Sequence, residues 1–161
     1  METTEQPQTS AVIVCASVSH GNTARIAEAI GQELDAVIVA PEEVDPKDLA
    51  AATLVGFGSG IFDLDFHPTL RRLVAALPQR EDGKAFVFAT SGFPEPPYRR
   101  YLRRMSTSLE EKGFEVIGTF DCRGFDTWLP FRLVGGRYRG RPGPSDLEAA
   151  HAFAKGLRDR V

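Results

Sequence analysis

Short apolar segments alternate with segments of helical periodicity along this chain, and this alternation constrains its fold more than any other feature. The first segment, Ala11–Ala16, is apolar on both faces, as a central strand of a parallel sheet must be. Four more strands are predicted, at residues 36–39, 53–57, 84–90 and 114–121. Strands separated by helices favour an open parallel sheet covered by helices on both faces. We therefore expect an α/β three-layer sandwich.

The predicted helices have recognisable ends. Asp45 is placed as an N-cap before Pro46, a residue that is favoured at the first helical position. Gly113 is expected to end the fourth helix. Ser145 and Glu148 have the spacing of a capping box and predict the start of the last helix.

Length and composition limit the class of protein. The 161 residues fit one domain at 11–161, after a polar tail at 1–10 that we expect to be disordered. A net charge of −3 argues against a nucleic-acid binder. Two cysteines form no disulfide framework and favour a reduced, cytoplasmic setting. No apolar run approaches the roughly 20 residues that span a membrane, so we expect no membrane partner. We also expect a monomer or weak dimer.

Three segments follow the predicted strands at their carboxyl ends, where ligands bind in open α/β sheets. They are residues 17–23, 58–67 and 90–98, and all are rich in glycine or hydroxyl side chains. The first offers the hydroxyls of Ser17, Ser19 and Thr23, the amide of Asn22 and the flexible backbone of Gly21. It also precedes a helix whose N-terminus attracts anions. The first loop therefore predicts a phosphate site without lysine or arginine, although the same residue types also serve as ordinary helix caps.

Two other phosphate motifs are excluded. Gly83 and Lys84 lack the earlier glycine and the following hydroxyl of a Walker loop. Gly56, Gly58 and Gly60 follow the third strand and have the wrong spacing for a dinucleotide fingerprint.

With these residues in view, the chain resembles the flavodoxin family of FMN-binding proteins. The flavodoxin phosphate loop reads S/T-x-T-G-N-T, and residues 17–23 match it with His20 as one extra residue. Residues 58–62 resemble the second flavodoxin loop, and residues 90–92 resemble the third. The resemblance extends to a short-chain subgroup through Phe66-His67 and through residues 112–114, 118–127 and 135–147.

The resemblance implies a five-stranded parallel sheet of order 2-1-3-4-5 that binds FMN noncovalently. Flat apolar flavin faces favour aromatic contacts, for which Phe62, Phe93, Tyr98 and Trp128 are candidates. The predicted cofactor-binding residues are Ser17, Ser19, His20, Gly21, Asn22, Thr23, Gly58, Ser59, Gly60, Ile61, Phe62, Thr90, Ser91, Gly92, Phe93 and Tyr98. No catalytic residue and no metal ligand is predicted.

The function that the resemblance implies is electron transfer between redox partner proteins, with the electrons carried on FMN. Two alternatives remain: an FMN-dependent NAD(P)H or quinone oxidoreductase, and a binding domain of the same fold that has lost its flavin. The peptide of Gly60 is expected to flip toward the flavin N5. Carboxylates at positions 63, 65, 95 and 126 are expected to lower the flavin potential.

Other polar clusters have simpler interpretations. Asp63, Asp65 and His67 resemble metal ligands, but they fall inside the second loop, and His67 is expected to start a helix at Pro68. The arginines at 99, 100, 103 and 104 favour a solvated helix face. An acidic partner or a dinucleotide phosphate is the alternative that this arginine cluster leaves open.

Overall fold

Strands and helices alternate along the chain in the computed structural model, which describes residues 10–17, 21–92, 95–123 and 142–161. The strands are β1 (Ala11–Ala16), β2 (Val37–Val39), β3 (Leu54–Phe62), β4 (Asp65–Phe66), β5 (Lys84–Ser91) and β6 (Glu115–Arg123). The helices are α1 (Asn22–Leu34), α2 (Pro46–Ala51), α3 (Pro68–Ala76), α4 (Tyr101–Glu111) and α5 (Pro144–Arg158). Of the expected tail, residues 1–9 lie outside the described part. The Ser10 carbonyl accepts hydrogen bonds from Thr53 (2.9 Å) and Leu54 (3.2 Å).

Five strands form a parallel sheet in the order β2-β1-β3-β5-β6, which confirms the predicted order of the parallel strands. Register is continuous through the centre of the sheet, where Ile13 of β1 pairs with Gly56 of β3 and Gly56 pairs with Phe86 of β5. A short antiparallel strand, β4, was not predicted; it pairs with the end of β3. Two residues are too few to show a strand periodicity.

The third strand is longer than predicted. It was expected to end at Phe57, but β3 continues to Phe62 and returns through a hairpin into β4. The two turn residues both have positive φ, 49° at Asp63 and 60° at Leu64, as a type I′ hairpin requires. This turn lacks the usual Asn-Gly signature, so a hairpin was not predicted here.

The core has two parts, one on each face of the sheet. Phe57, Phe66 and Tyr101 belong to the part under α3 and α4. Phe86 and Phe88 belong to the part under α1 and α5. Each large apolar side chain buried in this way contributes roughly 1.5–3 kcal/mol to folding.

The helix starts differ in how well the sequence predicted them. Asp45 caps α2 as predicted, because its carboxylate accepts a hydrogen bond from the Lys47 amide (2.9 Å). The expected Ser145–Glu148 capping box is wrong, since α5 begins earlier, with Pro144 as its first residue. There the Asp146 carboxylate accepts a hydrogen bond from the Gly143 amide (2.8 Å).

None of the helices in the described ranges combines the length and the apolar character needed to cross a membrane.

Candidate functional site

The hydroxyls of Thr23 and Thr90 lie 2.8 Å apart in a hydrogen bond that is buried from solvent. Thr23 is in the first turn of α1, and Thr90 is near the carboxyl end of β5. Gly60 of β3 pairs with Thr90, and a Cβ at Gly60 would lie 3.7 Å from the Thr23 hydroxyl. The structure therefore brings the three predicted loops together at the carboxyl edge of the sheet.

The start of α1 is open toward this edge. Gly21 is the N-cap with φ 63° and makes no side-chain capping bond of its own, and the first turn contains no acidic residue. A Cβ at Gly21 would meet nothing within 4 Å. The Ser17 hydroxyl accepts a hydrogen bond from the Ala24 amide (3.2 Å). Asn22 is the first residue of α1, and the predicted residues Ser19 and His20 lie outside the described part of the chain.

The hydroxyl of Ser59 links β3 to the start of α3. It donates to the Gly60 carbonyl (2.7 Å) and accepts from the His67 amide (3.0 Å). His67 caps α3 as predicted, since its Nδ1 accepts a hydrogen bond from the Thr69 amide (3.1 Å). The expected flip of the Gly60 peptide would break the hydrogen bond from the Ser59 hydroxyl to the Gly60 carbonyl.

The remaining residues of the second loop divide between packing and exposure. A Cβ at Gly58 would lie 2.1 Å from the Phe88 ring, so this glycine makes room for a core side chain. Ile61 pairs with Phe66 of β4 and packs against the core. Phe62 is 40% exposed. The centroids of its ring and the His67 ring lie 5.5 Å apart, and the two rings are nearly perpendicular.

Side chains from two other elements surround Ser91, the last residue of β5. Arg123 donates to the Ser91 hydroxyl (2.8 Å), and the Tyr101 hydroxyl donates to it over 3.4 Å. Arg123 also pairs with Asp121 at 2.6 Å. Burial raises the pKa of Tyr101 above its usual value of 10.0.

Arg123 is absent from the predicted site because the last strand was expected to end at residue 121, whereas β6 continues to Arg123. Tyr101 lies at the start of α4 and reaches Ser91 only through tertiary packing. The alternation of Phe120 and Cys122 is the signal that could have extended the predicted last strand.

The other predicted residues of the third loop are placed as follows. Gly92 follows Ser91 and is half-buried, Tyr98 is 81% exposed, and Phe93 lies outside the described residues.

A cluster of arginines surrounds Asp65 next to this site. One carboxylate oxygen of Asp65 lies 3.8 Å from Arg71, 3.9 Å from Arg99 and 3.5 Å from Arg104. Of the four arginines predicted as a solvated face, Arg99 and Arg104 therefore share a nearly buried counter-charge. Asp65 is compensated by these cations, which weakens the expectation that it lowers a flavin potential.

The other carboxylates expected near the flavin have different surroundings. Glu95 accepts a hydrogen bond from the Leu102 amide (2.9 Å) and thereby serves the first turn of α4. Asp63 is exposed in the hairpin turn. Asp126 and the aromatic candidate Trp128 lie outside the described residues.

The two cysteines are buried. Burial and, to a lesser extent, the nearby carboxylate of Glu28 raise the pKa of the Cys15 thiol to about 12. A thiol that stays protonated at neutral pH is a poor nucleophile. Cys122 pairs with Thr90 across β5 and β6, which places it near the candidate site.

A cavity of about 300 Å³ lies beside Ser17, on the β2 side of β1. Glu28, Glu42 and His67 contribute to its lining. The two carboxylates disfavour an anion there, because like charges repel at short range. Ser17 and Ala24 also line the cavity and connect it to the start of α1.

Comparison with known proteins extends these observations. No family model matches the chain. An uncharacterized protein of Methanocaldococcus jannaschii is 36% identical over 149 residues, which cover 91% of this chain and 97% of the relative.

Solved structures of flavodoxins share the fold. A flavodoxin from the domain Archaea matches with a TM-score of 0.69 and 18% identity, over 94% of this chain and 97% of the other. Oxidised flavodoxin 2 from Bacillus cereus matches with a TM-score of 0.70 and 20% identity, over 94% and 99%. The chain therefore belongs to one family with the uncharacterized Methanocaldococcus protein and has the fold of the flavodoxins.

Proposed function

We propose that this protein binds FMN noncovalently at the carboxyl edge of its sheet and carries electrons between partner proteins. The observation that supports this most strongly is the Thr23–Thr90 hydrogen bond of 2.8 Å, with Gly60 beside it. This contact joins the residues of three separate loops that the flavodoxin resemblance assigns to one cofactor.

The start of α1 fits the phosphate of FMN. Free amide groups at a helix N-terminus and the helix dipole both favour an anion, and Gly21 leaves the approach open. One guanidinium nitrogen of Arg25 donates to the Pro142 carbonyl. In this proposal the phosphate is held by amides and hydroxyls, among them those of residues 17, 22 and 23.

Two exposed aromatic side chains support a place for the flavin ring. Phe62 lies at the end of β3, and Tyr98 follows the third loop. Aromatic faces stack favourably on flat apolar rings. FMN, when bound, supplies the capacity to accept and release electrons.

In this proposal the chain itself binds, orients and shields the cofactor. The Ser59 hydroxyl holds the Gly60 carbonyl, and Arg123 holds the Ser91 hydroxyl. These contacts fix the second and third loops before the cofactor arrives, and preorganisation of this kind lowers the entropic cost of binding.

The test is a titration of the FMN-free protein with FMN, followed by flavin fluorescence and by the visible spectrum. We expect saturable binding at one site, and we expect Asn22→Ala/Thr23→Val to weaken it by at least about tenfold, through lost hydrogen bonds to a charged group. The matched control is Ser106→Ala/Ser108→Ala, whose hydroxyls bond to backbone carbonyls within α4. Its affinity should equal that of the unmodified protein.

Two outcomes would redirect the assignment. A protein that takes up no FMN is a flavin-free binding domain of this fold. Steady consumption of NAD(P)H by the FMN-loaded protein, with no added reductase, identifies an oxidoreductase in place of a carrier.

A further inference from the structure

We propose that the hairpin tip at residues 63–64 and the arginines around Asp65 form a docking surface for a partner protein with an acidic face. We call this region the arginine surface; it consists of Leu64, Arg71, Arg99 and Arg104, and the exposed carboxylate of Asp63 lies next to Leu64 in the turn. Only one part of this inference rests on the proposed function, namely that the docked partner exchanges electrons with the protein.

The arginine surface carries a surplus of positive charge. One oxygen of Asp65 faces all three guanidiniums at 3.5–3.9 Å, and the other accepts a hydrogen bond from the Phe66 amide (2.8 Å). The side chains of Arg71, Arg99 and Arg104 remain 48%, 43% and 55% exposed. A single carboxylate therefore leaves guanidinium donors available to a second anionic group, for which their planar geometry is well suited.

Two further cations extend the positive surface along the start of α4. Arg100 is the N-cap of α4, and Arg103 is exposed in its first turn. Cations at a helix N-terminus are unfavourable with the helix dipole. The Glu95 carboxylate, which accepts a hydrogen bond from the Leu102 amide, offsets part of that cost, and an anionic partner would offset more of it. The positive region also contrasts with the net charge of −3 for the whole chain.

The hairpin tip adds an exposed apolar side chain next to Arg99. Leu64 is 37% exposed and adopts φ 60°, a conformation that bulky side chains rarely take. Arg99 donates to the Leu64 carbonyl over 3.4 Å and so ties the tip to the segment before α4. Tyr98, the neighbour of Arg99 in the chain, is 81% exposed.

Exposed apolar, tyrosine and arginine side chains close together are typical of protein interfaces. The charge selects an acidic face, and complementary charge also accelerates encounter. Since β3 carries both Gly60 and the strand end at Phe62, a partner on the arginine surface lies beside the proposed flavin loop.

The first test uses poly-L-glutamate as the acidic probe and the FMN-free full chain, with binding followed by NMR chemical-shift changes. We expect shifts confined to residues 62–72 and 95–104, and an affinity that falls as salt increases. Arg99→Gln/Arg104→Gln should weaken binding by about tenfold. The control Lys47→Gln/Lys155→Gln removes the same charge from exposed positions on α2 and α5 and should change nothing. Equal loss in both variants, or shifts spread over the surface, would overturn the proposal.

The second test uses the FMN-loaded protein after photoreduction, with hexacyanoferrate(III) and hexaammineruthenium(III) as electron acceptors. Each acceptor gains one electron from the reduced flavin. We expect the rate with the anionic acceptor to fall as salt increases and the rate with the cationic acceptor to rise. The opposite pattern, which the net charge alone would give, would contradict the arginine surface.

Failure of the two proposals is distinguishable. Without FMN uptake the proposed function fails, while polyglutamate binding still tests the surface. Displacement of polyglutamate by NADPH, but not by an equal concentration of inorganic phosphate, would identify a dinucleotide site and overturn the assignment to a protein partner.

Discussion

Thr23 and Thr90, which are 67 positions apart in the chain, share a buried hydrogen bond of 2.8 Å. The contact fastens the N-terminus of α1 to the carboxyl end of β5. A buried hydroxyl that loses its partner costs roughly 1–3 kcal/mol, so this pair fixes the geometry of the candidate site as well as its stability.

Replacement of these threonines should show strong coupling. We expect Thr23→Val and Thr90→Val each to lower the free energy of unfolding by about 1–3 kcal/mol, because each leaves one buried hydroxyl without its partner. The double variant should lose less than the sum, since both hydroxyls are gone and the shape is kept. Urea unfolding of the FMN-free protein measures all four forms. Additive losses would mean that the two hydroxyls do not interact.

Glycine at the hairpin tip should stabilise the fold. The left-handed conformation of Leu64 costs about 1–2 kcal/mol, and Leu64→Gly removes that strain. The entropic penalty for ordering glycine is smaller. We expect a net gain of up to about 1 kcal/mol in thermal or urea unfolding. Val37→Gly, at another exposed apolar position, is the control and should destabilise. A loss of stability in Leu64→Gly would show that its side chain supports the fold.

Gly58 is expected to tolerate no side chain. A Cβ there would lie 2.1 Å from the Phe88 ring, and overpacking of this kind costs typically about 1–3 kcal/mol. Gly156→Ala is the matched control, because a Cβ at this α5 position meets nothing within 4 Å. That control should stabilise the helix by about 0.5–1 kcal/mol. Equal effects on urea unfolding would contradict the packing role of Gly58.

The Cys15 thiol should make stability fall at alkaline pH. Its pKa is raised from 9.0 to about 12 in the folded protein, so the folded state retains a proton that the unfolded state releases. The contribution is complete below pH 9 and is lost as pH rises from there to about 12. Relative to Cys15→Ala, the unmodified protein should lose about 1.4 kcal/mol per pH unit above pH 9. Parallel pH profiles for the two proteins would contradict the raised pKa.

The sequence by itself determined the order of strands and helices and the position of the first loop. Residues of β1 are apolar on both faces, and this local pattern allows only a central strand in a covered sheet. Asp45 and His67 likewise act on amides within their own helices. Such features depend on residues close in the chain, so periodicity and cap preferences were sufficient to predict them.

Tertiary structure decided the features that depend on distant residues. The hairpin at Leu64 forms although its residues disfavour the turn, because β3 and β4 pair and Arg99 holds the tip. The position of Arg123 at Ser91 follows from the pairing of β6 with β5. Arg71 comes from α3 and Arg104 from α4, and only the packing of those helices brings both to the Asp65 carboxylate. Contacts between elements far apart in the chain leave no local pattern, and for that reason only the folded structure reveals them.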